Sequence, residues 1–191
     1  MSPRFKYFIF NKPYGVLSQF TDKEGRKTLK DFNFPAEIYP AGRLDMDSEG
    51  LLLLTNDKQL VNYLLNPLYK HEKEYLVQVE GEPDNKDLKK LEEGLFIKGI
   101  KTRRAIAIRI NEPAIWERVP PIRERKSIPV SWLSVILTEG KNRQVRRMTA
   151  KIGFPVLRLI RVRIKNILIN DLMPGKSREL MHEEIKKLKL P

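Results

Sequence analysis

Three acids alternate through the run Ala41-Gly42-Arg43-Leu44-Asp45-Met46-Asp47-Ser48-Glu49-Gly50. In an extended segment alternate side chains share a face, so these carboxylates could converge on two magnesium ions, as in metal-dependent nucleases. The opening Asp-x-Asp-x-Glu-Gly also matches the start of an EF-hand loop. That loop needs a bidentate acid at its twelfth position, where this chain has Asn56, and its middle would be the four leucines 51–54, so calcium binding is set aside. A third reading needs one acid. Asp45 lies between Arg43 and a leucine run, where a core element meets a groove, and can attack or deprotonate a bound substrate. An arginine would keep it ionised. Taken alone, Asp47 and Glu49 read as an exposed acidic turn.

The second cluster is Glu139-Gly140-Lys141-Asn142-Arg143-Gln144-Val145-Arg146-Arg147-Met148. Read as a helix, it packs Val145, Met148, Thr149 and Ile152 inward and crowds Arg143, Arg146 and Arg147 on one side at i, i+3 and i+4. Like charges at that spacing repel unless phosphates or a carboxylate face them, and the arginine fork suits both. Tyr75 follows Lys73 at the start of a strand-like run; it reads as a core residue or as a platform for a base. His71 reads as a surface residue. Arg123, Arg125 and Lys126, between Pro121 and Pro129, form a basic loop suited to backbone phosphates.

The elements that must position these groups are legible in outline. Arg4–Asn11 is predicted to be a strand, ended by the turn Pro13-Tyr14-Gly15, and residues 18–36 a polar loop. Gly50–Thr55 reads as a buried strand. A helix over Lys58–Leu65 follows, capped at Asn56-Asp57 and stopped by Asn66-Pro67. Glu74–Gly81, Ala105–Ile110 and Ser131–Thr138 read as strands, and Asp84 as the cap of a helix carrying Leu88, Leu91 and Leu95. Residues 111–130 read as a long surface loop, a functional insertion. Asn142 is expected to cap a helix through Ile152. Val156–Ile169 reads as one or two strands and Glu179–Leu188 as a terminal helix. Strands and helices mix without a βαβ rhythm, so the expected class is α+β, with a mixed, mainly antiparallel sheet and flanking helices. Two subdomains sharing that sheet would divide near residue 70.

Composition narrows the chemistry. The 191 residues contain no cysteine and two histidines, which excludes disulfides, thiolate zinc sites and cysteine nucleophiles and disfavours a multi-histidine metal site. The net charge is +13, and residues 101–165 hold all of that excess, with 17 Lys and Arg against 4 Asp and Glu, while the remainder balances at 20 against 20. Such a block is the footprint of a polyanion partner. Its five prolines rule out one long membrane-binding basic helix. No apolar run is long enough to span a bilayer or serve as a signal peptide, so a cytoplasmic protein without a membrane partner is expected.

Together these residues resemble a known family. Asn11-Lys12-Pro13-x-Gly15, Gly42-Arg43-Leu44-Asp45-x-Asp47-Ser48-Glu49-Gly50-Leu51-Leu52, Lys73-x-Tyr75-x-Val77 and Glu139-Gly140-x-x-Arg143-Gln144-Val145-Arg146-Arg147-Met148 are similar, in order, to the motifs of pseudouridine synthases. The branch is the one acting on bacterial ribosomal RNA, typified by the small-subunit type A enzyme, and the 120–132 and 143–161 segments resemble its large-subunit type E members. The resemblance implies isomerisation of a uridine to its C-glycoside, with no cofactor and no metal. It implies Asp45 as the catalytic aspartate, Arg146 as its arginine partner and Tyr75 as the residue stacking on the target base. Arg43 would hold the flipped nucleotide or its phosphate, and Leu157 would line the pocket. Arg143, Arg147, Arg123, Arg125 and Lys126 would grip RNA. The expected partner is ribosomal RNA, of the large subunit, free or within an assembly intermediate, and the expected working unit is a monomer. Residues 1–191 are expected to form one catalytic domain, without the small N-terminal RNA-binding domain that many members carry. A non-enzymatic RNA-binding or ribosome-assembly protein is the alternative.

Overall fold

A computed structural model describes residues 5–122 and 127–189. Strand β1 (Tyr7–Lys12) pairs antiparallel with β3 (Glu49–Thr55), to which the short β2 (Tyr39–Pro40) adds. Both faces of β3 are covered, which is why its four consecutive leucines are all buried. On one face Tyr7, Ile9, Leu51 and Leu53 meet Leu60 and Leu64 of helix α1 (Lys58–Leu65). On the other face Phe10, Leu52 and Leu54 pack beneath the 18–38 loop, against Leu29 and Ile38. Helix α1 spans the predicted residues because its signals are local: Asp57 accepts from the Leu60 N–H at 3.0 Å, and Asn66-Pro67 ends it.

Strand β4 (Lys73–Glu80) runs antiparallel to β8 (Val130–Leu137), which pairs with β7 (Ile106–Ile110) at the sheet edge. Between them in sequence lie α2 (Asn85–Glu93), capped by Asp84, and a hairpin of β5 (Phe96–Ile97) and β6 (Ile100–Lys101). Val77, Val79, Leu133, Val135 and Ala107 bury one face of these strands against Leu88 and Leu91 of α2 and Val145 and Met148 of α3 (Gln144–Lys151).

Strand β9 (Val156–Ile164) joins the two halves, and β10 (Ile167–Leu168) turns back on it as a hairpin. The sheet order is β11-β1-β3-β9-β4-β8-β7, with β11 (Ser177–Glu179) on the outer side of β1 and helix α4 (His182–Lys189) closing the described chain. All neighbours along this path are antiparallel except β3 and β9, which run parallel and share two register pairs, Glu49–Ile160 and Gly50–Arg161. The fold is therefore α+β with a mixed, mostly antiparallel sheet, as expected. The strand β11 has no counterpart in the sequence reading, and α4 begins three residues later than expected.

The 111–122 segment has no regular structure, yet it is anchored. The Trp116 indole N–H donates to Glu49 Oε2 at 2.9 Å, and the Arg118 guanidinium lies 4.3 Å from the centre of the Tyr14 ring.

Candidate active site

The turn that leads into β3 builds the site. The Ser48 N–H donates to the Asp45 carbonyl at 3.0 Å, so the chain reverses between the acids instead of running extended. The Ser18 hydroxyl fixes the approach, donating to the Leu44 carbonyl at 2.8 Å and accepting from the Leu44 N–H at 3.1 Å. From beneath, Lys12 at the end of β1 is fully buried. Its Nζ donates to the carbonyls of Pro13 and Val16 at 2.8 Å and of Met46 at 3.5 Å. One ammonium thus ties the Pro13–Val16 turn to the Asp45 turn. Burial lowers it to about 7, against the opposing pull of Glu49, Asp47 and Asp45.

The three acids have separate partners. Both Asp47 carboxylate oxygens accept from the Arg143 fork, at 2.8 and 2.7 Å. Burial opposes ionisation of Asp47, but hydrogen bonds from Arg143 and the nearby Arg146 charge outweigh it, so its carboxyl lies below the usual range. Glu49 is buried and bidentate to Arg158, at 2.8 and 2.9 Å, besides accepting from Trp116. Asp45, by contrast, has the Arg143 Nη1 at 3.6 Å as its ion partner. Among the described residues the three acids form no metal-holding group, and both Glu49 oxygens are taken up by Arg158.

Arg143 reaches both Asp45 and Asp47 from the head of α3, where its backbone is left-handed with φ 51°. The expected cap at Asn142 is corrected here. Asn142 Oδ1 accepts from Arg147 at 2.8 Å, while Gln144 Oε1 takes the Lys141 N–H at 3.0 Å and secures the turn into the helix. Arg146 feels the Asp45 charge without touching it. No hydrogen bond or ion pair joins it to Asp45. Its Nη2 donates to the Asp47 carbonyl at 2.6 Å and to the Ser48 hydroxyl at 3.4 Å, and its Nε lies 3.4 Å from the Asp47 carboxylate. Arg146 therefore braces the turn that carries Asp45.

Asp45 opens on a cleft of about 680 Å³ that lies between the two clusters covering this sheet face, with α1 on one side and the start of α3 on the other. That volume suits a small-molecule or nucleotide guest. The cleft gathers Arg43, Asp45, Tyr75 and Arg143 from distant parts of the chain. Tyr75 is 8% exposed, so it serves both as core and as cleft wall. Arg43 is exposed at the rim, with its Nη2 on Gln19 Oε1 at 3.1 Å.

Leu157 is a correction. It faces a different cavity, beside Gln78, Trp132 and Arg158. The register against β4 slips between Gln78 and Val79, whose partners are Arg158 and Val156, so a bulge at Leu157 re-aims its side chain. Leu159 lines the Asp45 cleft instead. Arg123, Arg125 and Lys126 lie outside the described residues.

Sequence reasoning gave no role to two further cations of the cleft. Lys73 donates to the His71 carbonyl at 3.3 Å; burial, and then the neighbouring Arg161 charge, lower it to about 8. Arg161 is 4% exposed, with its Nε on the Leu51 carbonyl at 2.8 Å and its Nη2 without a hydrogen-bond partner among the described residues. The signal that could have found Arg161 is Gly50. A glycine near the start of a leucine-rich strand marks a close backbone approach, and Arg161 is what approaches. Among the described residues, no group of three or more His, Asp or Glu side chains is arranged to hold a metal ion, and no helix is long and apolar enough to cross a membrane.

The model of the family described as RNA pseudouridylate synthase matches residues 6–151. The ribosomal large subunit pseudouridine synthase E of Vibrio parahaemolyticus is 53% identical over 175 residues, which cover 92% of this chain and 74% of that protein. The protein of the same name from Xanthomonas campestris is 50% identical over 173 residues, covering 89% of this chain and 92% of that one. Among solved structures, one described as the crystal structure of pseudouridylate synthase superposes with a TM-score of 0.81 at 28% identity, over 97% of this chain and 74% of that one.

Proposed function

The chain belongs to the RNA pseudouridylate synthase family, and we propose that it converts a uridine of large-subunit ribosomal RNA to pseudouridine, with Asp45 as the group that acts on the ribose. The observation that carries this is the setting of Asp45. Its carboxylate faces a nucleotide-sized cleft with an aromatic wall, while its neighbours Asp47 and Glu49 are consumed by guanidiniums. Names of relatives at 50–53% identity support the large ribosomal subunit as the source of the substrate.

A stacked uridine cannot reach such a cleft, so it must swing out of its helix at a cost of a few kcal/mol. Arg43, Lys141 and Arg143 at the rim can offset that cost through phosphate contacts, and Tyr75 through contact with the base. Asp45 then meets C1′ or the 2′ hydrogen of the ribose, with Arg143 as its countercharge, while Arg146 holds the turn through the Asp47 carbonyl. A monomer is the proposed working unit, and a ribosomal RNA substrate supports the cytoplasm as its place of work.

The test is Asp45→Asn with large-subunit ribosomal RNA carrying tritium at C5 of uridine. Tritium release is expected to stop while RNA affinity is retained. Release at the parent rate would show that another group performs the chemistry.

A further inference from the structure

Two arginines of β9, Arg158 and Arg161, are equally withdrawn from water, at 6% and 4% exposure. Arg158 meets a carboxylate with two hydrogen bonds. Arg161 has no ion pair among the described residues; its Nε is spent on the Leu51 carbonyl, and its Nη2 has no hydrogen-bond partner. A buried guanidinium left in this state is costly. It also repels Lys12 and Lys73, whose ammonium forms it disfavours. The fold nonetheless fixes it. Arg161 is the register partner of both Gly50 and Tyr75, and it lines the cleft that holds Asp45. An unmatched cation held at a reaction site indicates an anion that arrives with the substrate or forms during the reaction.

Phosphate is the poorer fit, because Arg43, Lys141 and Arg143 already stand exposed at the rim while Arg161 lies deep. The isomerisation itself generates a negative charge. When the C1′–N1 bond breaks, its electron pair stays on the ring, and the resulting uracil anion spreads charge over N1, O2 and O4. The electron-deficient ribose is captured by the Asp45 carboxylate or loses its 2′ proton to it. The ring then turns; as C5 bonds to C1′ the Asp45–C1′ bond breaks and releases the carboxylate or, in the other route, Asp45 returns the proton to C2′; the C5 proton leaves and N1 gains one, so the product is an isomer.

We propose that Arg161 is a catalytic residue: its free guanidinium edge donates to a carbonyl oxygen of the target uracil and stabilises the ring as it detaches, keeping it in the cleft until C5 bonds. This rests on the isomerase reading above. Hydrogen-bond donors aimed at a developing oxyanion contribute about 10²–10³ in rate.

The experiment compares the parent, Arg161→Lys and Arg161→Met in single-turnover reactions on ribosomal RNA containing uridine or 5-fluorouridine. RNA affinity and thermal unfolding are measured alongside. Fluorine makes the detached ring a more stable anion, so a missing cation should matter less. On uridine, Arg161→Met is expected to slow turnover by about 10²–10³ with RNA affinity retained, and Arg161→Lys to recover much of that rate. On 5-fluorouridine, formation of the C-glycoside should show a clearly smaller deficit for both variants. Deficits of equal size on the two substrates, or a loss confined to RNA affinity, would overturn the proposal. If Arg161→Met does not fold, Arg161→Lys alone decides it, since the comparison is between two substrates of one protein. A parent protein inactive on uridine would refute the isomerase reading itself.

Discussion

Gly50→Ala adds one methyl group where β3 meets β9. A Cβ at this position would fall 2.3 Å from the Arg161 carbonyl oxygen, 2.8 Å from the Arg161 nitrogen and 3.0 Å from Ile160 Cγ2. The two nearest atoms are backbone and cannot swing aside, so the strands must part. Residue 50 also holds φ 101°, outside the range that L side chains readily adopt. That conformation costs an alanine about 1–2 kcal/mol, and forcing a methyl group into a packed site adds about 1–3 kcal/mol. The sum is roughly 2–5 kcal/mol, and the seam has two register pairs with which to resist. Gly25→Ala supplies the internal control. Its φ is 71° and its Cβ would meet nothing within 4 Å, so it isolates the conformational share. Urea unfolding reads the difference: with a slope of about 2 kcal/mol per molar, Gly50→Ala should lower the midpoint by about 1–2.5 M and Gly25→Ala by less than about 1 M. Because Arg161 is the residue displaced, uridine isomerisation should also fall in the Gly50 variant under conditions where it remains folded. Equal midpoints for the two variants would refute the argument.

Glu49→Gln leaves the Arg158 charge buried without its counterion and should cost about 3–5 kcal/mol in chemical unfolding. The double variant Glu49→Leu with Arg158→Met should regain most of that, and a double variant no more stable than the single would contradict this account. Lys73 supplies a pH dependence: its native value of about 8 lies below the 10.5 of the free side chain. The unfolded chain therefore binds the extra proton between those values, so stability should rise with pH across that window. Unfolding midpoints measured on either side of pH 8 should rise less in Lys73→Met than in the parent; identical rises would exclude Lys73 as a source.

What the sequence disclosed was chiefly local. The helix α1 was legible to the residue because Asp57 and Asn66-Pro67 are adjacent to it, and the alternation of β4 and β8 marked one apolar face. The pairings that assemble the site are not local. Strand β11 has three residues and forms by pairing with β1 across the length of the chain, so no pattern announces it. Leu157 was misplaced because a bulge interrupts the period on which such an assignment depends. The basic third of the chain also changes meaning when folded. Arg109 meets Glu82, Arg143 meets Asp47, Arg158 meets Glu49, and Arg163 meets Glu72 and Glu74. Part of the local excess is thus matched by acids from the balanced remainder.

The alternating acids show why charge pattern alone could not single out one of them for the proposed chemistry. A carboxylate that must attack carbon or take a proton reacts more readily the fewer donors hold its oxygens. Asp47 has both oxygens in the Arg143 fork, and Glu49 has both in the Arg158 fork, with the Trp116 indole added. Among the described residues no hydrogen bond reaches the Asp45 carboxylate, and its nearest cation stands off at 3.6 Å. The turn at Ser48 creates this inequality, because it breaks the extended geometry in which all three acids would share a face. Asp47 and Glu49 then act through their partners: one draws the head of α3 over the cleft, and the other pins the Trp116 segment and β9 beneath it. Their satisfied state holds Asp45 in position while leaving its oxygens open to the cleft, which supports Asp45 as the proposed reactive group, and that inequality comes from the fold and not from the motif.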